Sequence, residues 1–334
     1  MKTVVVTGAS GQLGQHLVDR LLAHPDVARV LAVDVRPTAA RHPKLEPCAF
    51  DVRDPGLGRV LEGADAVFHL AFLVFGSAPR ELMRSVNVDG TRNVVERAAE
   101  AGVRQVVYAS SIAAYGVTHG HPVPVVEDTP RRLVPDFEYS ANKFEVEADL
   151  DALEAAHPAL AIARMRVGIL VGARMEHALG RAMQRRVLLV SSDAPWAVVW
   201  DEDVADAFVR AWERGARGAF NVAADDPEPP GALAAKAGLR VIPLPARVRD
   251  GIAAALDALT PIVRPPFDPA WMRHADVAVV PSSAKAHREL AWSPRHRTAA
   301  DVVAHYVAVA PRPDPLLVAA AKALAARARR RWAR

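Results

Sequence analysis

The chain has a single cysteine, Cys48, in 334 residues. One thiol cannot close an internal disulfide, and it excludes zinc frameworks built on several cysteines. An excess of charge of one sign is also missing. The 42 Lys and Arg stand against 38 Asp and Glu, a net +4 that is too small at this length to announce a nucleic-acid partner. Only six of the basic residues are lysines, so any lysine at a meaningful spacing stands out. No apolar run approaches the ~20 residues that span a bilayer, which argues against stable membrane insertion. The first apolar run, residues 4–6, is short and ends in a glycine turn rather than in a signal-peptide pattern, so a reducing, cytoplasmic setting is expected. What remains is 51% hydrophobic and 24% charged, the balance of a globular protein with one large or two intimate domains.

The first half alternates. Residues 3–7, 30–34, 65–70, 105–109 and 159–166 are short apolar runs that read as strands. Between them lie amphipathic stretches: Leu13, Leu17, Leu21 and Leu22 recur at helical spacing, and residues 79–101 form a longer helical stretch. Strands alternating with helices imply crossover units and a parallel sheet covered on both faces. The expectation is a doubly wound, Rossmann-like α/β fold. Beyond Gly172 the pattern loosens. Residues 198–200 lead into a helix at 201–214, and 218–222 read as another strand. Pro227, Pro229, Pro230, Pro243, Pro245, Pro261, Pro265, Pro266 and Pro269 then break up longer elements into loops and short helices. Residues 1–170 and 201–224 are therefore assigned to a dinucleotide-binding domain. Residues 171–200 and 225–334 are assigned to a smaller substrate-binding lobe with C-terminal helices. The tail, 316–334, is rich in Ala and Arg and reads as a solvated end.

Two distant signals carry the chemistry. In Thr7-Gly8-Ala9-Ser10-Gly11-Gln12-Leu13-Gly14, glycines recur every three residues between a strand and a helix. A tight turn wants glycine, the backbone must approach a pyrophosphate closely, and a helix N-terminus offers free N–H groups to an anion. Asp34 ends the second strand about 20 residues on, placed to take ribose hydroxyls and to repel a 2′-phosphate, which favours NAD over NADP. Arg36 blunts that preference. Asp51-Val52 after the third apolar segment can meet the adenine edge. His69-Leu70-Ala71 ends the fourth strand, where His69 reads equally as a satisfied core histidine. The second signal is Tyr139-Ser140-Ala141-Asn142-Lys143. Tyr139 and Lys143 share one helical face, and a lysine beside a phenol favours the phenolate. Ser110 and Ser111 lie between the two signals, and Ser111 can add a hydroxyl at the same substrate oxygen. His119-Gly120-His121 has a spacing some metal sites use but no third ligand nearby, so no metal is expected. Cys48 reads as an inert small hydrophobe just before a strand.

These residues resemble the extended short-chain dehydrogenases/reductases, in their NAD-dependent epimerase/dehydratase branch. The matching pieces are TGASGQLG at 7–14, Asp34, Asp51-Val52, HLA at 69–71, NVDGT at 87–91, SSIAAYG at 110–116 and YSANK at 139–143. RVGILVG at 166–172, DEDVADA at 201–207, FNVA at 220–223 and SAKAHRELAWSP at 283–294 follow. The resemblance implies Ser111, Tyr139 and Lys143 as the catalytic set. It implies NAD as cofactor, with contacts from Gly8, Ser10, Gly11, Gln12, Leu13, Gly14, Asp34, Asp51, Val52, Leu70, Ala71, Phe72, Asn87, Tyr139 and Lys143. It also implies a small-molecule substrate and a homodimer built on residues 79–101 and 137–156. Departures bear on substrate. Nucleotide-sugar dehydratases of this family carry Thr-Asp-Glu where this chain has Ser111-Ile112-Ala113, so water elimination lacks its acid/base pair. Nucleotide-sugar epimerases carry an asparagine near Gly168 and Ile169, and a longer basic stretch where this chain has only Arg185 and Arg186. Phe72, Val74 and Phe75 are apolar and follow the HLA motif. The functional expectation is NAD-dependent redox chemistry at a secondary alcohol or ketone carbon through a Ser-Tyr-Lys relay, as a dehydrogenase/reductase or as an epimerase, with two alternatives: a nucleotide-sugar (UDP-hexose) 4-epimerase, and a non-catalytic NAD-binding sensor.

Overall fold

The computed structural model describes residues 1–36, 38–74, 78–173, 175, 180, 183, 186–259 and 268–310. Phe75, Arg185, Pro261, Pro265, Pro266 and the arginine-rich tail lie outside the described residues.

Seven parallel strands form the main sheet, in the order β10-β6-β5-β4-β1-β2-β3. They are β1 (Lys2–Thr7), β2 (Val27–Asp34), β3 (Leu45–Ala49), β4 (Ala66–His69), β5 (Gln105–Ser111), β6 (Ala161–Val167) and β10 (Gly218–Val222). Cys48 sits within β3 rather than before it, half-buried, with burial and Glu46 raising its thiol pKa. On one face of the sheet α1 (Gln12–Ala23) and α6 (Asp201–Glu213) pack over Val4, Val6, Phe68, Met165 and Phe220. On the other, α2 (Leu57–Leu61), α4 (Gly90–Glu100) and α5 (Glu138–Ala156) cover Val5, Val67, Val106, Tyr108 and Ile162. Burial on both faces explains why the strands read as almost unbroken apolar runs. Each fully buried Leu or Phe contributes roughly 1.5–3 kcal/mol relative to exposure.

The helical stretch at 79–101 is not one regular helix. It divides into α3 (Arg80–Arg84), a π-helical turn (Ser85–Asp89) and α4. The wide turn carries Asn87, and such turns place side chains that a regular helix would aim elsewhere.

The chain winds from β1 outward to β3, then returns to β4 on the other side of β1. That reversal opens a crevice at the carboxyl ends of β1 and β4, the ligand position of open α/β sheets. Thr7 pairs in register with His69 there, and Ser111 ends β5 opposite Val167.

The remaining described elements form a second core. β7 (Ile169–Val171) pairs with β9 (Val198–Trp200), and β8 (Val187–Val190) with β11 (Arg240–Pro243). With α7 (Pro230–Lys236) and α11 (Ala299–Val309) they bury Val171, Trp200, Leu233 and Tyr306. A capping box of Thr298 and Asp301 starts α11. The proline-dense region also contains α8 (Ala246–Leu259), longer than the sequence suggests, and the short α9 (Ala270–Arg273), while the following α10 (Ala284–Glu289) packs on the first core through Ala286. No proline falls inside α8 (Pro245 lies just before it), so nothing interrupts its hydrogen bonds.

Candidate active site

The glycine turn joins three pieces of backbone. Gly8 has φ +70°, and a Cβ there would lie 2.6 Å from the Ala71 nitrogen. A Cβ on Gly14 would run into the Gly8 carbonyl oxygen. Strand β1, helix α1 and the exit from β4 therefore meet only because these side chains are absent. Gly11 caps α1 without a side-chain hydrogen bond and the first turn holds no acid, which leaves N–H groups aimed into the crevice. The Ser10 N–H donates to Asp34 Oδ2 at 3.1 Å, and the Arg36 N–H donates to Oδ1 at 3.0 Å. Asp34 thus ties the turn to the end of β2. Ser10 Oγ donates to the Arg36 carbonyl at 2.6 Å. The Gln12 side chain turns away to Asp201 Oδ2 at 2.8 Å, while Leu13 packs on the core. Asp201 also takes His16 at 3.2 Å and raises its pKa. This cradle, uncapped and lined by backbone, fits a dinucleotide pyrophosphate with Asp34 at the ribose end.

His69 is fully buried, and burial together with the Lys143 charge pulls its pKa down to about 3. Its hydrogen bonds have one consistent direction. The Ala71 N–H donates to Thr7 Oγ1, whose hydroxyl donates to His69 Nδ1 at 2.6 Å. His69 Nε2–H donates to Thr91 Oγ1 at 2.9 Å, and that hydroxyl donates to the Asn87 carbonyl at 2.6 Å. His69 is therefore a neutral strut, not an acid or base. The Asn87 side chain is buried and engaged with Leu73, accepting from its N–H at 2.7 Å and donating to its carbonyl at 3.1 Å. It holds the loop after β4. Asp51 pairs with Arg53, which lowers its pKa, and Val52 is buried beneath Gly90.

Ser111 caps the 3₁₀ turn Ile112–Tyr115, its Oγ accepting from the Ala113 N–H at 3.2 Å and donating to the Val167 carbonyl at 3.3 Å. Ser140 Oγ donates to the Ala113 carbonyl at 2.8 Å and locks the first turn of α5 to this 3₁₀ turn. That lock brings the Tyr139 hydroxyl beside that of Ser111. Burial raises the Tyr139 pKa, and the nearby Ser111 hydroxyl offsets this in part. Proximity of Lys143 led to the opposite expectation. The reason lies in where the ammonium points: Lys143 Nζ donates to Tyr108 Oη at 3.0 Å and to the Ala109 carbonyl at 2.7 Å. It also sits 3.5 Å from the centre of the Phe72 ring but 6.0 Å from that of Tyr139. Lys143 is itself buried, so its ammonium is held well below the ordinary lysine range, with Glu147 offsetting part of that.

Several neighbours escaped the sequence reading. Ser110 faces away from the crevice and donates to Glu147 at 2.5 Å. Glu147, wholly buried, accepts Arg166 Nη2 at 2.6 Å and Arg131 Nη1 at 3.1 Å. Its spacing from Lys143 on α5 was visible, but nothing local separates a buried carboxylate from a solvated one. Around Tyr139 stand three rings: Trp271 at 5.6 Å, Phe72 at 5.7 Å and Phe137 at 6.5 Å between centroids. Trp271 arrives from α9, more than 100 residues away in sequence, so no local pattern flagged it. Ile112 packs among Tyr115, Val125 and Val279, and Ala113 is buried, so no carboxyl pair stands beside Ser111. At Gly168 a Cβ would collide with the Ala197 carbonyl, which leaves no room for an asparagine.

Fold and site together define a dinucleotide-dependent enzyme with a serine, a tyrosine and a lysine gathered at the carboxyl end of a Rossmann sheet. The pattern of the NAD-dependent epimerase/dehydratase family matches residues 4–223, and the chain belongs to that family, with NAD as its cofactor. An uncharacterized protein of Mycobacterium tuberculosis is 29% identical over 237 residues, 67% of this chain. The match spans 62% of that protein's length. A 3β-hydroxysteroid dehydrogenase/Δ5→4-isomerase of Monkeypox virus is 27% identical over 151 residues, 43% of this chain and 44% of that one. The crystal structure of a UDP-galactose 4-epimerase has a TM-score of 0.69 at 25% identity, covering 92% of this chain and 98% of that one.

Proposed function

We propose that this protein oxidises a secondary alcohol, or reduces the matching ketone, on an apolar, ring-containing molecule. Bound NAD supplies the hydride acceptor, and its reduced form the donor. In the oxidative direction Tyr139 Oη takes the hydroxyl proton of the substrate. Ser111 Oγ holds the same oxygen as it becomes a carbonyl. The Lys143 ammonium, held by Tyr108 and the Ala109 carbonyl, reaches the cofactor ribose. In reduction, the Tyr139 hydroxyl returns the proton. Gly8, Ser10, Gly11, Gln12, Leu13 and Gly14 hold the pyrophosphate, Asp34 the adenosine ribose, and Asp51, Val52, Leu70, Ala71 and Phe72 line the rest of the cofactor path. Residues 171–200 and 225–334 act as the substrate lobe, and the expected assembly is a homodimer.

The observation that carries this reading is the aromatic surround of Tyr139, formed by Phe72 and Trp271 with the buried Phe137 behind them. Such a wall suits a flat apolar ring and offers little to a sugar diphosphate. The viral hydroxysteroid dehydrogenase among its relatives points the same way. The test is a panel of alicyclic and steroidal alcohols, with UDP-galactose alongside, followed by NADH formation and by product analysis. Turnover of ring alcohols is expected. It disappears in Tyr139→Phe while NADH binding persists, and in Trp271→Ala the KM for ring alcohols rises about tenfold or more with NADH affinity retained. Epimerisation of UDP-galactose without net NADH, and no turnover of any ring alcohol, would overturn the reading. NADH binding with neither reaction would leave the sensor.

A further inference from the structure

We propose that Tyr108 is a positioning residue for the lysine of this site: its hydroxyl fixes the direction of the Lys143 ammonium and helps keep it charged. The assignment rests on Lys143 acting as in the reading above, but its test does not require turnover.

Lys143 Nζ has three hydrogens. Two have acceptors, both on β5: Tyr108 Oη and the Ala109 carbonyl. The third direction meets the face of Phe72. The Ala109 carbonyl would be present whatever the side chains, so the selectable acceptor is Tyr108. That acceptor is unusually well fixed. Tyr108 is 1% exposed, in the middle of a seven-stranded sheet. Its ring stacks on His69 at 5.7 Å with 28° between planes. Thr7 and Thr91 pin both nitrogens of His69. A rigid pile therefore runs from the nucleotide-binding strand β1, through His69 and Tyr108, to the lysine.

The ammonium needs that acceptor because its surroundings disfavour charge. From α5 it faces Tyr139 one turn before and Glu147 one turn after. From the sheet it faces the neutral His69 and Tyr108, and from the loop after β4 the uncharged Phe72. Glu147 is the single anion in this set, and Arg166, Arg131 and Ser110 already claim its oxygens. A hydrogen bond to a charged group in such a place is worth about one pH unit of lysine basicity or somewhat more.

Tyr108→Phe keeps the ring and its packing and removes the acceptor alone. The chain has only six lysines, so NMR of ¹³Cε-labelled lysine resolves them, with Lys143→Ala assigning the resonance. Wild-type Lys143 is expected to titrate below the other lysines, and in Tyr108→Phe about one further pH unit lower, with a nearly unchanged melting temperature. Where ring alcohols are turned over, kcat falls about tenfold near neutral pH, because the ammonium that reaches the cofactor ribose loses its fixed direction and part of its charge. An identical Lys143 titration in the two folded proteins would overturn the proposal, and so would a lower melting temperature with no change in titration, which would mark Tyr108 as packing only. Because the NMR titration needs no substrate, failure of the alcohol reading leaves it readable.

Discussion

Replacing Glu147 by glutamine tests the electrostatic floor beneath the site. Glu147 is wholly buried, and its two oxygens take Arg166 Nε at 3.0 and 3.2 Å, Arg166 Nη2 at 2.6 Å, Arg131 Nη1 at 3.1 Å and Ser110 Oγ at 2.5 Å. Glutamine fits the same space and keeps one acceptor but removes the charge. Arg166, 5% exposed, is then left with the Glu127 carbonyl at 2.8 Å and the Tyr115 ring at 4.4 Å. Breaking a buried ion pair from one side costs roughly 3–5 kcal/mol, and the retained acceptor places Glu147→Gln near ~3. Urea unfolding followed by tryptophan fluorescence reads that loss. The sign with pH follows from the carboxyl, whose pKa is lowered despite burial by Arg166, Ser110 and Arg131. Its contribution is present above the unfolded value of ~4.3 and is lost as pH falls through the lower folded value. The gap between wild type and Glu147→Gln is therefore widest at neutral pH and narrows below about pH 4. Removing both charges, as in Glu147→Leu with Arg166→Met, should cost less than Glu147→Gln alone, because no charge is left buried without a partner. A loss under ~1 kcal/mol at pH 7, or a gap that does not narrow on acidification, would refute the reasoning.

Two further outcomes test the other side of the crevice. In Gly14→Ala the new Cβ meets the Gly8 carbonyl, so α1 must back away from the turn and its N–H groups lose their aim. NADH affinity by fluorescence titration should fall about tenfold or more, and an unchanged affinity would mean that the turn does not hold the pyrophosphate. His69, with its pKa near 3, should show no imidazole titration between pH 8 and 4 by ¹⁵N NMR. Since its folded pKa lies below the unfolded ~6.5, it withdraws stability as pH drops below that value, and a folded-state titration near 6.5 would contradict the strut assignment.

What was legible in the sequence is what is encoded locally. The glycine turn shows itself because glycine recurs at three positions within seven residues, and two of them, Gly8 and Gly14, need the absence of a Cβ. Tyr139 and Lys143 show themselves because one helical turn separates them. The strands of the sheet were legible because burial on both faces leaves an almost uninterrupted apolar run. Charge and contact across the sheet were not legible. Lysine spacing suggested that the cation would act directly on the Tyr139 phenol, yet the register of β5 under α5 offers Lys143 a second tyrosine, Tyr108, and the ammonium takes it. The bond of Asn87 to Leu73 sits in a π-turn, and a wide turn cannot be read from 3.6-residue periodicity. Trp271 is a single residue on a four-residue helix in a proline-dense stretch, the kind of segment where sequence periodicity carries nothing. The parts that hold the cofactor are therefore written in adjacent residues, while those that tune the lysine and shape the substrate wall exist only once distant segments meet. Belonging to the NAD-dependent epimerase/dehydratase family therefore gives the cofactor, while the substrate proposed above rests on Phe72 and Trp271, which only the fold brings to Tyr139.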